Sequence, residues 1–488
     1  MEEGGRPAAS CQHRTQSFKG VFVAIQADKH YDLIIIGTGS GNSIPGPEFE
    51  DKKIAICEEG TFGGTCLNVG CIPTKMYVYA ADVATEIKEA AKYGLSAELT
   101  GVDWPAIVER VFANRIDKIA QGGEAYRRGD ETPNIDVYDG HSTFVAERTI
   151  RTKDGDKEVI ISGDEIVIAA GARPAVLPVI EQSSVTYYTN NDILRMPALP
   201  ATMTIMGGGF IAAEFAHVFS ALGVDVTVIN RSETLLRHLD AEVSQRFTEL
   251  AAKRWNLRTG RTVDSAVEDE RGVTLTLDDG STVTSEVLLV ATGRTPNGDL
   301  LDLDKAGVEM DGKRVKVDQF GRTTAAGVWA LGDVSSPFQL KHVANAEMRA
   351  VRHNLLHPED LRPMPHDVVP SAIFTHPQIA TVGLTEEQAR EKAAAEGFEI
   401  TVKVQNYGDV AYGWAMEDST GFAKLIANKN NGQLLGAHII GPQASTLIQQ
   451  LITAMSFKID VRELATQQYW IHPALPELTE NALLGLEF

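Results

Sequence analysis

The chain is poor in cysteine, with four in 488 residues. That excludes a small secreted domain built on disulfides. No stretch approaches the ~20 apolar residues of a membrane-spanning helix. Positive charge is also short: 45 Lys and Arg stand against 66 Asp and Glu, for a formal net charge of −21. Such a chain repels nucleic acid and anionic membrane surfaces, so neither is expected as a partner. Within residues 1–30 the longest apolar run is Val21–Ile25, too short for a signal-peptide core, and Glu2, Glu3 and Asp28 dilute any basic mitochondrial address. Residues 1–30 therefore read as a polar, disordered leader, with the folded protein beginning near Tyr31.

What is present is ordinary globular material. A chain of this length predicts roughly three domains of about 150 residues. The informative stretch is Gly63-Gly64-Thr65-Cys66-Leu67-Asn68-Val69-Gly70-Cys71-Ile72-Pro73-Thr74-Lys75. Two cysteines five apart lie in a Gly-rich turn that runs into a helix, and a helix N-terminus carries roughly half a positive charge, which favours a thiolate. A zinc site would need two more ligands at short spacing. Only Cys11, in a polar tail, and Cys57, inside the apolar run Ile54–Cys57, remain. No metal is expected. Cys66 and Cys71 read as a redox pair cycling between dithiol and disulfide. Such a pair needs a compartment that supplies reductant, and the expected location is the cytoplasm.

Two nucleotide-binding patterns flank this chemistry. Asp32–Ile36 reads as a buried parallel strand feeding into Gly37-Thr38-Gly39-Ser40-Gly41-Asn42, and a second apolar run ends at Glu58, 21 residues after Gly37. Glycines permit a tight turn and close approach of a pyrophosphate, and the spaced acid accepts from a ribose. The sixth position is Asn42, and Pro45 and Pro47 follow. Proline inside a helix costs ~3 kcal/mol, so the first helix is expected to be short or displaced. The pattern recurs: strand Met203–Met206, then Gly207-Gly208-Gly209-Phe210-Ile211-Ala212, a helix to about Leu222, and strand Val226–Ile229. Here the ribose position holds Asn230-Arg231 instead of an acid. Arg231 and Arg237 suit a 2′-phosphate, which arginine grips bidentately, so the second nucleotide reads as NADPH.

Further runs fill the plan. Ile166–Gly171 and Val287–Gly293 each end at a glycine before Arg173-Pro174 or Arg294-Thr295-Pro296, and read as crossings between domains. Val328–Leu331 delivers Gly332-Asp333 to a turn. After about residue 365, short runs at Ala372–Phe374, Ile379–Val382, Thr401–Val404, Ala423–Ile426 and Leu434–Ile440 predict an antiparallel sheet, with helices at Glu386–Glu396 and Ala444–Ser456. The chain then carries Trp470-Ile471-His472-Pro473-Ala474-Leu475-Pro476-Glu477. His472 and Glu477 suit an oriented acid–base pair, although taken alone such a pair in a terminal loop is more often a surface contact.

In this order the motifs resemble the pyridine nucleotide–disulfide oxidoreductases, the flavoenzymes that include glutathione reductase and dihydrolipoamide dehydrogenase. The resemblance covers about residues 31–488. It implies an α/β fold of two Rossmann-like dinucleotide-binding domains plus a C-terminal α+β dimerisation domain. FAD would occupy residues 31–173 and 298–365, NADPH residues 174–297, and a homodimer contact residues 366–488. FAD would meet Gly37, Gly39, Ser40 and Gly41 at its pyrophosphate and Glu58 at its ribose. Thr65 and Lys75 would lie by the flavin, Ser142 near the adenine, Gly332 and Asp333 on the ribityl–phosphate side, and the Lys341 backbone near the ring. Lys75 would pair with Glu214. Gly207, Gly209, Ile211 and Gly293 would frame the nicotinamide nucleotide, with Phe210 as a lid. Cys71, nearer the ring, would be the thiolate; Cys66, the exposed partner, would attack a small-molecule disulfide. His472 and Glu477 would act from the partner subunit. Three segments, Gly37–Ile44, Phe62–Ala84 and Tyr469–Leu486, most resemble the branch that reduces the disulfide of mycothiol. Reduction of a glutathione-type disulfide, a dihydrolipoamide dehydrogenase activity (disfavoured by Arg231 and Arg237) and redox sensing without turnover stay open beside it. A mercuric reductase is excluded, because the chain ends Gly485-Leu486-Glu487-Phe488 with no further cysteine pair.

Overall fold

A computed structural model describes Met1 and residues 25–488. The leader lies almost wholly outside the described residues. The first strand, Lys29–Ile36, starts two residues before Tyr31. Its apolar run pairs in parallel with Ile54–Glu58 on one side and Lys157–Ile168 on the other, and Ile34, Ile35, Ile54 and Ile56 are fully buried. Strands covered on both faces have to be continuously apolar, which is why this run is legible in the sequence. The sheet continues through Ile135–Asp139 at one edge and through Thr149–Asp154 and Thr143–Ala146 at the other. Val328–Ala330 returns from far along the chain to pair with Lys157–Ile168, which brings Gly332-Asp333 to this sheet.

A second, all-parallel sheet runs Asn256–Thr259, Asp225–Asn230, Thr202–Met206, Val287–Val290. A three-stranded antiparallel sheet of Val263–Asp269, Gly272–Leu277 and Thr282–Ser285 accompanies it. The two Arg-x-Pro segments meet directly: Arg294 pairs with Pro174 and Pro296 with Ala172 in a two-stranded antiparallel ribbon. The chain thus leaves and re-enters the first unit at one place. The third unit is a five-stranded antiparallel sheet, Pro370–Ile373, Ile379–Gly383, Leu434–Ile440, Phe422–Asn428, Ile400–Asn406. Helices Glu386–Glu396 and Ala444–Ser456 form as the pattern predicts.

The prolines act as expected on the first crossover. Between Ile36 and Ile54 there is no α-helix, only the 3-10 turns Gly41–Ser43 and Pro47–Phe49. Arg127, 8% exposed, fills the gap: its Nε donates to Asn42 Oδ1 at 3.0 Å and its Nη2 to Asn42 O at 2.7 Å. Asn42 is therefore the acceptor that a glycine or alanine could not supply. One apolar core binds the three units together, with Tyr77, Phe215, Phe219 and Ile440 all below 2% exposed. No helix among the described residues is long and apolar enough to cross a membrane.

Candidate active site

The cysteine turn and the first glycine turn are built as one piece. Gly63 and Gly64 adopt φ of 106° and 71°, which side chains resist. A Cβ on Gly64 would lie 2.6 Å from Gly39 Cα, and Gly63 N–H donates to Thr38 Oγ1 at 2.9 Å. Thr38 in turn donates its N–H to Glu58 Oε2 at 2.9 Å and its hydroxyl to the same oxygen, while Gly60 N–H holds Glu58 Oε1 at 2.9 Å. Backbone is pressed on backbone here, so the glycines are a steric requirement. Within the cysteine turn, Asn68 Nδ2 donates to the carbonyls of Thr61, Phe62 and Gly64, leaving its buried Oδ1 without a partner.

Cys66 lies in the short helix Gly64–Asn68, and Cys71 is the first residue of the helix Cys71–Glu89. Both are free thiols, as is the buried Cys57. They share one proton unequally. Cys66 donates to Cys71, which pulls the Cys71 pKa down to about 7, with further help from the Lys75 charge. The same hydrogen bond and burial push Cys66 up. Cys71 is thus the thiolate of the reduced pair. Exposure is the reverse of the expected order: Cys71 is exposed and Cys66 only partly so. The reason is position. Cys71 opens the long helix and borders both the central cavity and a shallow groove with Ile72, Met76, Tyr79 and Arg110, while Cys66, inside the turn, borders the cavity alone.

Lys75 stands one helical turn beyond Cys71. Its Nζ lies 2.7 Å from each carboxylate oxygen of Glu214, a residue 5% exposed, and 4.6 Å from the Phe374 ring centroid. Phe374 N–H also donates to Glu214 Oε1 at 2.9 Å. Three regions distant in sequence meet at this one ion pair. Gly332 and Asp333, which line the same cavity, begin the 3-10 turn Gly332–Val334 after Val328–Ala330. Burial raises the Asp333 pKa, and the nearby Arg294 guanidinium, 3.8 Å away, opposes that shift. Lys341 opens the helix Lys341–Leu356, and its Nζ donates to Ser40 Oγ at 2.9 Å, while Ser40 donates to Asn345 at 3.0 Å. Ser142 is buried and donates to Thr152.

These groups line one cavity of about 1220 Å³. Gly37, Gly39, Ser40, Glu58, Thr65, Cys66, Cys71, Lys75, Ser142, Asp333 and Lys341 border it, as do Gly209, Phe210, Ile211 and Glu214 from the second nucleotide unit. The volume exceeds that of ordinary small-ligand sites, as an extended dinucleotide requires. A Cβ at Gly39 or Gly209 would meet nothing within 4 Å, so open space lies where a pyrophosphate would approach each turn. The donor set and the shape fit FAD, with a nicotinamide nucleotide entering beside Phe210, which is 43% exposed at the start of the helix Phe210–Ala221.

Other expected residues stand outside the cavity lining. Gly207 and Gly293 both take φ of 128°, and a Cβ on Gly207 would lie 2.3 Å from Ala291 O, so Gly207 closes the strand-to-turn junction. Gly41 does not border the cavity either; a Cβ there would press within 2.7 Å of Ala169 Cβ. Arg231 and Arg237 are exposed and form no ion pair among the described residues. Their loop is tied to the second glycine turn by Leu236 N–H donating to Gly208 O at 2.7 Å. His472 Nδ1 and Glu477 Oε1 are 2.6 Å apart. The imidazole is 69% exposed, the carboxylate is 15% exposed, and neither borders the cysteine cavity of its own chain. Sequence reading missed Arg294 as a cavity residue, Asn68, and Glu347 with its partner His366. Arg294 had a signal, its place in the Arg-x-Pro segment. Glu347 had none, because a buried acid in a helix looks like any surface acid until the helix is docked.

Comparison with known proteins places this site in a family. The family described as pyridine nucleotide-disulphide oxidoreductase matches residues 31–350, and its dimerisation domain matches residues 369–483. A mycothione reductase of Mycobacterium tuberculosis is 56% identical over 465 residues, spanning 93% of this chain and 99% of that protein. A glutathione reductase of Burkholderia cepacia is 31% identical over 92% of this chain and 97% of that protein. Among solved structures, a HOCl-induced flavoprotein disulfide reductase from Escherichia coli superposes with a TM-score of 0.82 at 26% identity, covering 94% of this chain and all of that one.

Proposed function

The chain belongs to the pyridine nucleotide-disulphide oxidoreductases as an FAD- and NADPH-dependent thiol-disulfide reductase that forms a homodimer, and we propose that its substrate is mycothiol disulfide. The observation that carries the chemistry is the unequal Cys66–Cys71 pair beside Lys75, in one cavity with both glycine turns. The substrate reading rests on the 56% identity to mycothione reductase along nearly the whole chain.

We divide the chain into residues 31–173 and 298–365 for FAD, 174–297 for NADPH and 366–488 for the dimer contact, with function in the cytoplasm and without nucleic-acid or membrane partners. Bound FAD supplies a two-electron carrier between the nicotinamide and the cysteine pair. Gly39 and Ser40 face its pyrophosphate in this reading, with Gly41 packed behind them, Asp333 its ribityl side, and Arg231 and Arg237 the 2′-phosphate of NADPH. In the dithiol, Cys66 holds the proton and needs a base. His472 of the partner subunit, oriented by Glu477, takes that proton. The Cys66 thiolate attacks one sulfur of the substrate, forming a mixed disulfide and expelling a thiolate that His472 protonates. Cys71, already a thiolate, attacks Cys66 Sγ. That closes the Cys66–Cys71 disulfide and releases the second thiolate. Lys75 stabilises the negative charge on Cys71 throughout.

The test is NADPH oxidation by the purified flavoprotein with mycothiol disulfide, glutathione disulfide and lipoamide side by side. Turnover on mycothiol disulfide well above the other two supports the reading. Preference for either alternative refutes the substrate and leaves the thiol chemistry standing.

A further inference from the structure

We propose that Glu347 and His366 form a positioning pair that holds the Gly332-Asp333 turn in shape and thereby sets how long FAD stays bound. Glu347 is fully buried, and a carboxylate removed from water is costly unless both oxygens find partners. Both do. Its Oε2 accepts from Gly332 N–H at 2.7 Å, and its Oε1 accepts from His366 Nε2 at 2.7 Å. Gly332 takes φ of 73°, and its carbonyl accepts from Ser335 and Ser336 N–H at 2.9 and 2.8 Å. The peptide groups on either side of Gly332 are therefore pinned where Gly332 and Asp333 border the cavity.

His366 reaches this carboxylate from outside the helix, and its ring packs edge-on against Phe338 at 5.4 Å. Neither Glu347 nor His366 borders the cavity, so any influence on a bound group passes through the turn. The same helix, Lys341–Leu356, also holds Ser40 of the first glycine turn through Lys341 and Asn345. One helix thus joins the two halves of the flavin cradle, and the His366–Glu347 pair fastens the half that the sequence places some 290 residues from the other. The cysteine chemistry does not need the pair.

The inference rests on the FAD-dependent reading and is tested on the holoenzyme, by following flavin fluorescence as FAD is released on dilution. Loss of a buried hydrogen bond to a charged group predicts release about tenfold or more faster in H366A and in E347L. H366Q, whose amide still donates to Glu347, should fall between H366A and wild type. The double variant should release FAD no faster than E347L alone, because the two residues act as a unit. If E347L does not fold, the H366A and H366Q comparison decides. Release within about twofold of wild type in H366A, or H366Q as fast as H366A, overturns the proposal. So does an additive double variant. A wild-type protein that folds but carries no flavin refutes the cofactor reading itself, and this inference with it.

Discussion

Lys75 Nζ sits equidistant, at 2.7 Å, from the two carboxylate oxygens of Glu214. The two residues are 139 positions apart, one on the helix that begins with Cys71 and one on the helix behind the second glycine turn. The Lys75 charge lowers the Cys71 pKa and the Glu214 charge raises it, so the pair tunes the thiolate from both directions. Removing Lys75 leaves Glu214 as a buried, uncompensated charge. K75M should raise the Cys71 pKa above about 7 and destabilise the fold. The expected cost is about 3 kcal/mol, at the low end for buried pairs because Lys75 is a third exposed. Thiolate absorbance against pH and a urea titration measure the two effects; an unchanged thiolate titration would refute the tuning role.

Cys71 and Cys66 should respond differently to pH. With the Cys71 pKa depressed to about 7, its thiolate fraction grows as pH rises through that value. Alkylation of the reduced enzyme should follow the same rise and level off about one to two units higher. C66S should stop disulfide turnover, and C71S should trap the substrate thiol on Cys66 as a mixed disulfide visible by mass spectrometry. A trapped adduct on Cys71 in C66S, with none on Cys66 in C71S, would reverse the assigned roles.

Among the described residues Arg231 and Arg237 have no carboxylate partner, and they project from a loop pinned to Gly208. Their joint replacement by alanine should lower kcat/KM for NADPH about 10- to 100-fold, as expected for lost charge-assisted contacts to phosphate, and leave the value for NADH nearly unchanged. An equal fall with both nucleotides would argue against 2′-phosphate recognition.

His472 lies 2.6 Å from Glu477 yet outside the cysteine cavity of its own chain. H472Q should lower kcat about 100-fold or more, the usual range for loss of an acid–base group. Mixing H472Q subunits with C66S subunits should restore turnover, because the heterodimer rebuilds one intact site. No recovery after verified subunit exchange would place the dyad's action elsewhere.

Gly64 is where the cysteine turn presses on the first glycine turn. G64A forces a Cβ to within 2.6 Å of Gly39 Cα at a φ of 71°, and neither backbone has room to yield. The purified variant should contain little FAD, checked by its flavin-to-protein absorbance ratio. Normal flavin content would refute the steric account.

Much of this was legible because the requirement was local. Strands buried on both faces must be continuously apolar, so Asp32–Ile36 and Met203–Met206 announce themselves. A turn that needs a positive φ favours glycine, so Gly37, Gly63 and Gly64 stand out. Prolines at 45 and 47 rule out a regular helix, and none forms there. The cysteine spacing and the missing acid after Ile229 are likewise properties of short segments, and the sequence alone determined the redox chemistry and the kind of nucleotide expected.

The tertiary structure decided whatever depends on two distant segments meeting. Nothing in sequence shows that Arg127 meets Asn42 or that Glu347 meets Gly332, and Lys75 and Glu214 are paired there only through the family resemblance. Their charges and hydrogen bonds acquire meaning only when packing brings them within 3 Å and removes water. Relative exposure of the cysteines belongs here too. Both thiols border the cavity, and how far each is exposed depends on where a helix begins in relation to the sheet beneath it, which no spacing of residues records.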